Sequence, residues 1–598
     1  GFNLTGTNLP TILRGTFDNP LTDGCLLNFS DQQNLPASID GCIFNNSAPA
    51  ATDPHNVRSN NSTANNTDQV VQFTNFSGIL CGGDPGVPGD NSTAGTAEFN
   101  DDEISGGDRI KWFNNVWYSI GNDKDASDPN QWWSTDDGST PRFNALAADF
   151  LNGEHEFKLQ SEYEAKNIWN IVAKLTIIAN GNLKVSTNKV TSEGDVTIEN
   201  NGILRFTGAV ANTIFDSNDD FITDAGGSIT FEAGSDGKLQ LADSDASLPT
   251  TASTNLTTTL GTIEYDLNDG NPQTIEDTKY FNLIINGSGT KSSEAKLDIE
   301  GDLTITAGIL DIGTGDDDVD IGGNFSNSGS LTISGETVTF DGTGDKTSSA
   351  ISNAAGNLVV NKTSSGKVTF GGTGSFNNIT VTAGTLDIGA QTFTAAGVTD
   401  IDGTLTLGTG TFTADGEFDA SGGTGAVTFT AGEAGTLLLK GTVTSLGAFN
   451  SNASGTVTYN GGSSQNLPGT PTYNNLTINN TSNVILTGSP QVDRTLDFTN
   501  GSLTTTVNFK LTFGNSASVT NTTDTKHING NCSKIFNNSG AAAEFNYPVG
   551  NGALLRPIKL IVPDGPSTTF KVKYNHVRSD TMAAADLANG GGTDGSLN

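Results

Sequence analysis

The 598-residue sequence has few basic residues and few histidines. It contains 29 Lys and Arg against 66 Asp and Glu, which gives a net charge of −37, and only four His. Nucleic-acid binding requires clustered Lys and Arg against the phosphates, so this composition excludes nucleic acid as a partner. It also disfavours anionic lipid surfaces, and no apolar run approaches the roughly 18 residues of a membrane span.

Cysteine is almost as scarce, with four residues and no CxxC pair, so no zinc or redox motif can be assembled. Two cysteines stand in matching surroundings 17 residues apart, Asp23-Gly24-Cys25-Leu26 and Asp40-Gly41-Cys42-Ile43. If 17 residues make one solenoid coil, neighbours stacked about 4.8 Å apart are close enough for a Cys25–Cys42 disulfide. Two unbonded thiols stacked in the core are the alternative.

Proline contributes only 18 residues, which argues against a Pro-rich disordered stalk, whereas Gly contributes 73. Gly suits solenoid corners, where the backbone turns tightly at positive φ. Hydrophobic residues make up 34%, a share that suffices if half of every strand faces solvent. The chain begins with Gly1-Phe2 and its only methionine is Met582, so we expect a processed piece of a longer protein.

The strongest pattern is a set of four short segments that returns in the same order. The three copies are Ile263–Tyr265, Leu283–Asn286, Leu303–Ile305 and Leu310–Ile312; Val338–Phe340, Leu358–Asn361, Ile379–Val381 and Leu386–Ile388; and Val457–Tyr459, Leu476–Asn479, Leu496–Phe498 and Ser502–Leu503. The first two copies are offset by 75 or 76 residues. Such recurrence is typical of stacked repeats, and the alternation of apolar residues with Thr, Asp and Asn predicts half-buried strands.

These patterns predict an all-β fold, a right-handed parallel β-helix (β-solenoid) of roughly 20 or more coils, with about three coils of roughly 25 residues in each 75-residue unit. We expect irregular N-terminal coils in residues 1–98 and a Trp-rich bridging subdomain in 99–173. Regular solenoid follows in 174–540, and a C-terminal β cap or the start of a β-sandwich in 541–598.

Three local predictions accompany this fold. Tyr163–Ala173 is predicted as a helix-like stretch or long connection. Ile558–Val562 and Thr569–Tyr574 are predicted to pair with each other as antiparallel strands. The alternation places Thr304 and Thr380 on the solvent side and six apolar side chains on the core side, namely Leu310, Ile312, Phe340, Leu386, Ile388 and Tyr459.

All five tryptophans lie between residues 112 and 169, where other aromatic residues also concentrate. Flat apolar rings match the faces of pyranose sugars, so Trp112, Trp132 and Trp133 are candidate sugar-binding residues. The alternative is that these rings pack a small core, because aromatic side chains carry large buried areas.

The most site-like acidic run contains Asp316, Asp317, Asp318 and Asp320. Several carboxylate oxygens on one strand edge are the ligands that Ca²⁺ prefers, so calcium is the one cofactor that the sequence suggests. The run has neither EF-hand spacing nor the Gly-Asp repeat of calcium β-rolls, and a solvated corner loop is the alternative.

Parallel β-helices include polysaccharide lyases and glycosidases, and a glycosidase needs two carboxylates roughly 5 to 10 Å apart. Carboxylates are abundant here, but no pair is distinguished by its surroundings, and basic residues form no cluster. The sequence therefore predicts no enzymatic activity.

Several segments resemble the repetitive β-solenoid regions of giant secreted cell-surface and adhesin proteins of the Bacteroidota. They are Trp117–Ser119, Ser127–Trp132, Leu175–Ile177, Thr337–Gly342, Asn357–Asn361, Gly384–Gly389 and Tyr547–Gly550. The resemblance implies an exported protein that serves adhesion, gliding or surface appendages.

We therefore expect an extracellular structural or adhesive β-solenoid, assembled as a homo-oligomer or filament, with surface glycans of other cells as partners. A carbohydrate-active (lyase or glycosidase) or lectin-like β-helix is the alternative.

Overall fold

The computed structural model describes residues 116–574 with short gaps, and before residue 116 only short strands between residues 2 and 112. The gaps are 134–144, 146, 154, 209–212, 250–259, 294, 314–317, 353–354, 364, 453, 470 and 539–540. The described residues form a parallel β-solenoid of about 18 turns, fewer than the 20 or more predicted. The chain divides into two compact units, Gly1–Ser228 and Ile229–Asn598.

Unit 1 begins with three parallel sheets built from very short strands. The first contains Phe2–Leu4, Leu27–Phe29, Val57–Ser59 and Asp101–Glu103; the second Ile12–Leu13, Ile39–Asp40, Val71–Thr74 and Ile110–Trp112; and the third Thr16–Asp18, Ile43–Asn45 and Ser77–Ile79. These ladders are parallel, as in a β-solenoid, and they include Asp101–Glu103 and Ile110–Trp112, so the domain boundary at residue 98 stays a prediction.

The spacing of these strands bears on the predicted disulfide. Phe2 pairs with Leu27 and Leu27 with Val57, so one coil takes 25 or 30 residues here. The 17-residue spacing of Cys25 and Cys42 is therefore not one coil, and the strands that follow them lie in different sheets. Both cysteines lie outside the described residues, and their pairing stays a prediction.

The rest of unit 1 forms three further sheets with one strand of each per coil. They contain Val116–Ser119, Glu156–Leu159, Lys174–Ile177, Val196–Ile198 and Phe221–Thr223; Lys124–Asp125, Glu162–Ala165, Asn182–Val185 and Ile203–Phe206; and Trp169–Ile171, Lys189–Ser192 and Ile214–Ser217. Trp132–Trp133 adds an antiparallel strand to Val116–Ser119. Two short 3₁₀ helices span Pro129–Gln131 and Asp149–Leu151.

The helix-like prediction for Tyr163–Ala173 is wrong. This segment holds the end of strand Glu162–Ala165 and all of strand Trp169–Ile171, both in parallel ladders. The Trp-rich segment also shares its ladders with the coils that follow, since Glu156–Leu159 pairs with Lys174–Ile177. No break in these ladders coincides with the predicted boundary at residue 173.

Strand Ser228–Phe231 spans the boundary between the units. In unit 2 the strands lie on three faces, which we number in chain order, and most coils contribute one strand to each face. Face 1 contains Lys238–Leu241, Thr262–Tyr265, Asn282–Ile285, Leu303–Ile305, Phe325–Asn327, Lys346–Ser348, Lys367–Phe370, Thr385–Asp387, Thr404–Leu407, Ala426–Phe429 and Ala448–Asn450. Face 2 contains Gln273–Ile275, Thr290–Ser293, Ile309–Asp311 and Ser330–Thr332, then a second sheet of Ile351–Ser352, Gly374–Phe376, Thr392–Ala395, Thr411–Ala414, Thr436–Leu439 and Thr456–Tyr459. Face 3 contains Lys279–Tyr280, Leu297–Ile299, Val319–Ile321, Thr337–Phe340, Asn357–Asn361, Ile379–Ala383, Thr399–Ile401, Phe418–Asp419 and Val443–Ser445.

The C-terminal coils of unit 2 use longer strands, and the pairing of Thr472–Asn479 with Gln491–Asn500 shifts register at two points. The sheet of face 2 continues through Thr472–Asn479, Gln491–Asn500, Leu511–Phe513, Ser518–Thr520, Asn531–Asn538 and Gly565–Lys573. A six-stranded sheet contains Gln465–Leu467, Val484–Leu486, Leu503–Thr504, Ile528–Asn529, Val549–Asn551 and Leu554–Leu555, and a two-stranded one Ala543–Tyr547 and Ile558–Val562.

The two strands predicted near the C-terminus exist, but they do not pair with each other. Ile558–Val562 pairs antiparallel with Ala543–Tyr547, and Gly565–Lys573 pairs antiparallel with Asn531–Asn538. The backbone N–H and C=O groups along a strand edge need hydrogen-bond partners. Ile558–Val562 supplies them to Ala543–Tyr547, and Gly565–Lys573 supplies them to Asn531–Asn538.

The sequence repeat is out of phase with the coil. Leu283 pairs with Leu303 and Leu386 with Leu405, so one coil takes about 20 residues, not 25. The 75-residue offset from Ile263 to Val338 therefore covers eleven strands, which is three coils and two strands. The first segments of the three copies consequently lie on face 1, face 3 and face 2.

The predicted division between core and solvent is confirmed. All six apolar side chains assigned to the core are fully buried, while Thr304 and Thr380 are only half-buried. Phenylalanine rings follow one another through the core from coil to coil, as where Phe393 stacks on Phe412 with 6.4 Å between ring centroids.

Candidate functional site

The tryptophan cluster of unit 1 is a packed core. Trp132 is 0% exposed, and its ring lies against Phe157, Tyr163 and Trp169 with centroids 5.0 to 6.0 Å apart. Its indole N–H donates a 2.9 Å hydrogen bond to the carbonyl oxygen of Ala126. Trp132 therefore has no ring face free for a sugar, and the prediction that it binds one is wrong.

Of the other two candidate tryptophans, the structure describes the side chain of Trp133 but not that of Trp112. Trp133 is half-buried beside Trp132. Trp112 ends strand Ile110–Trp112, but its side chain lies outside the described residues. Sugar binding by these two residues stays a prediction.

Tyr163, a member of this cluster, holds the loop between residues 120 and 131 in place through hydrogen bonds of its hydroxyl. Its hydroxyl accepts a 2.9 Å hydrogen bond from the amide of Ile120 and donates a 2.5 Å one to the carbonyl of Gln131. Burial raises the pKa of Tyr163 to about 12, so the phenol keeps its proton at any physiological pH. The tyrosine thus fastens the chain between residues 120 and 131 to the coil.

The predicted calcium run is only partly described, because Asp316 and Asp317 lie outside the described residues. Asp318 Oδ1 accepts a 2.7 Å hydrogen bond from the amide of Thr337, and Asp320 Oδ2 lies 2.5 Å from Lys296 Nζ. Among the described residues no group of three His, Cys, Asp or Glu could hold a metal ion. The described carboxylates thus already have protein partners, and calcium binding stays a prediction.

Charged side chains form a column on the outer surface of face 3. Asp298 and Asp320 are register partners on neighbouring strands, and Lys279 Nζ lies 2.5 Å from Asp298 Oδ2. That hydrogen bond, together with the charge of Asp298, raises the pKa of Lys279. Asp341 follows on the next coil, where burial and the nearby Asp320 and Asp298 raise the pKa of its carboxyl. Exposed pairs of this kind add little stability but give the surface a repeating pattern.

A second acidic group lies further along face 3. Burial raises the pKa of the Asp400 carboxyl, as do the charges of Asp402, Asp419 and Glu417. Sequence reasoning missed this group, although Asp400 and Asp419 are register partners, so a search at the spacing of one coil would have found them.

A cleft of about 640 Å³ lies beside Asp402, at the corner between face 3 and face 1. Its lining contains the hydroxyls of Thr363, Ser365, Thr382, Thr385, Thr404 and Thr424 together with Lys362. Lys362 is 1% exposed, and its Nζ has no hydrogen-bond partner among the described residues. Burial lowers the pKa of this amine, and the charge of Lys346 lowers it further.

The strand ladders define the chain as a parallel β-solenoid. No protein-family model, curated protein or solved structure matches it. Within the described residues there is no helix with the length and hydropathy of a membrane span.

Proposed function

We propose that this chain is an extracellular structural or adhesive protein whose working part is its repeating outer surface. The observation that carries this proposal is the column arrangement on unit 2, where outward side chains of one coil stand directly over those of the next. A partner that repeats in the same way is held by many equivalent contacts at once. Weak individual contacts then add up to firm attachment.

The sequence resemblance supports the same proposal. Thr337–Gly342 and the other matching segments resemble the coils of large secreted Bacteroidota surface proteins, and this resemblance supports a role at the cell surface, as part of a filament or appendage. A net charge of −37 favours the solubility of a long exposed surface. Surface glycans of other cells are the partners that we expect.

The test combines imaging with binding. Antibody-labelled electron microscopy of the native surface should show the chain on a filament or appendage, and a glycan array should retain the purified chain. Loss of every surface fibre in cells that lack the chain would strengthen the proposal. A chain that stays monomeric at high concentration with and without Ca²⁺, and whose deletion leaves adhesion and surface fibres intact, would overturn it.

The second candidate is a carbohydrate-active or lectin-like solenoid, and the acidic group at Asp400 favours it. A carboxyl of raised pKa beside other carboxylates is the arrangement that glycosidases use for their general acid. Reducing-end assays on polysaccharides, with Asp400→Asn as the variant and Asp387→Asn on face 1 as its matched control, separate the two functions. Turnover that only Asp400→Asn abolishes would establish an enzyme, and glycan binding without turnover would indicate a lectin-like adhesin.

A further inference from the structure

Face 2 carries a two-dimensional array of threonine side chains. Four successive strands, Thr392–Ala395, Thr411–Ala414, Thr436–Leu439 and Thr456–Tyr459, pair in parallel without a register shift. Their outward residues form two columns, Thr392, Thr411, Thr436 and Thr456, and Thr394, Thr413, Leu438 and Thr458. Neighbours are about 4.8 Å apart along a column and about 7 Å apart across the two columns.

The array continues onto the next coil with the same alternation. Asn475 extends the first column and Thr477 the second. The inward residues of the four strands are buried apolar side chains, among them Phe393 and Phe412, whose rings stack with an interplanar angle of 14°. This packing supports the array from beneath, and the β-branched threonines have few rotamers to choose from. The hydroxyl positions are therefore fixed before any ligand arrives.

The array carries no charge, although the protein has 95 charged side chains. Its seven threonine hydroxyls on the four strands make no hydrogen bond within the part of the chain that the structure describes. One of them, Thr413, is only 8% exposed, so a polar side chain more than nine-tenths buried lacks a protein partner at the centre of the array. Each hydroxyl can donate one hydrogen bond and accept others, so the donors and acceptors of the whole array are available to water or to a ligand.

The chemistry of the array selects its partner. A charged polymer or mineral finds no counter-charge on it. A single neutral glycan would be held by exposed aromatic rings, but Phe393, Phe412 and Tyr459 on these strands all point inward. The matching partner is neutral, flat and periodic, and it both donates and accepts hydrogen bonds. We propose that this threonine array binds the ordered water layer of an ice surface.

This inference rests on the proposed function in one respect: both assume that the protein binds its partner through the outer surface of the solenoid. Water molecules held between the hydroxyls and flanked by the threonine methyl groups extend the array as a lattice, and water-mediated hydrogen bonds are nearly as favourable as direct ones. The rigid, preformed face spares the ordering cost that a flexible surface would incur on binding.

The test is partition of the purified full chain into slowly grown polycrystalline ice, together with inhibition of ice recrystallisation. Thr413→Lys places a long charged side chain at the centre of the array, and we expect it to reduce partition at least about tenfold. Thr458→Lys should do the same, and it keeps the test valid if the more buried site at Thr413 fails to fold. The matched control is Thr406→Lys, a half-buried outward threonine on face 1 that should leave partition unchanged.

Three outcomes would overturn the inference: exclusion of the full chain from ice, an equal loss in Thr406→Lys, or a loss explained by a lower melting temperature in circular dichroism. A change in oligomeric state in the array variants, without any effect on ice, would instead make the array a contact between copies of the chain. Glycan binding that survives Thr413→Lys while ice partition is lost would separate this inference from the proposed function.

Discussion

A single side chain in this fold has one of two environments, because successive residues of a strand point alternately to core and solvent. Leu386→Ala and Thr380→Ala measure the difference between them. Leu386 is fully buried, so its truncation should cost about 2–5 kcal/mol through lost burial and a cavity. Thr380 is half-buried on the outer side, and its truncation should change the free energy of unfolding by less than about 0.5 kcal/mol.

Urea unfolding followed by far-UV circular dichroism measures both variants. Equal costs would contradict the strand register that the structure gives.

Lys534 shows how a buried charge links stability to pH. Its side chain is 3% exposed, and Nζ donates hydrogen bonds to the carbonyls of Asn515 and Ala517, at 2.7 and 3.1 Å. Burial lowers the pKa of Lys534 from 10.5 to about 8. Between these two values the unfolded chain binds a proton at this residue that the folded chain has lost. The free energy of unfolding attributable to Lys534 should therefore rise from pH 8 to pH 10.5, by about 3 kcal/mol.

The measurement compares the native chain with Lys534→Met by urea unfolding across this pH range. The comparison is needed because burial raises the pKa values of the neighbouring Cys532 and Tyr547, which lowers stability in the same range. Only the difference between the two proteins isolates Lys534. Identical pH dependence in both would refute the prediction.

At the scale of the element, the corners between strands have their own residue requirements. Asn180 and Asn201, each of which precedes a glycine in the sequence, adopt positive φ of 70° and 65°. Elsewhere asparagines of successive coils bond to one another, as where the amide of Asn479 donates to Asn460 and accepts from Asn500, both at 2.6 Å. Asparagine suits both roles, since it tolerates left-handed backbone and carries a donor and an acceptor.

Substitution at Asn201 tests the first role. This side chain is exposed, so the effect should come from the backbone alone. Asn201→Val should cost about 1–2 kcal/mol, because a Cβ branch is unfavourable at positive φ. Asn201→Gly is the control and should fall within about 0.5 kcal/mol of the native chain, since Gly adopts this conformation freely. Equal costs in thermal unfolding would mean that the corner is not strained.

At the scale of the whole molecule, the solenoid should tolerate loss of a complete coil. Leu386 and Leu405 are register partners, so deleting residues 386–404 joins Thr385 to Leu405 and keeps every later strand on its face. We expect this variant to unfold cooperatively at slightly lower urea, because stability in repeat folds is roughly a sum over coils.

The control deletes one residue fewer, 386–403, and joins Thr385 to Thr404. Thr404 then takes the inward position of Leu386, and Leu405 turns towards solvent. This variant should unfold at much lower urea than the complete-coil deletion. Indistinguishable unfolding curves would contradict the coil length derived from strand pairing.

The sequence by itself predicted the class of fold and the core side of the strands. Alternation with a period of two is a local property, so positions such as Leu310 and Phe340 could be assigned without knowing their neighbours. The sequence was a poor guide to the candidate sites. The acidic group at Asp400 is recognisable only when residues one coil apart are compared, and the length of a coil was not known from the sequence.

The tertiary structure decided everything that depends on what the next coil offers. Coil length and the face of each strand depend on which residues stack on one another. The sequence therefore could not show that its 75-residue repeat corresponds to eleven strands. Trp132 is a candidate sugar-binding residue by type, but its partners in the fold cover its ring. Gln465 is polar by type, yet it is only 3% exposed, and its side-chain amide donates hydrogen bonds to the backbone carbonyls of Leu439 and Gly441. Composition gives the kind of side chain, but burial and pairing are set by residues that come close only when the coils stack.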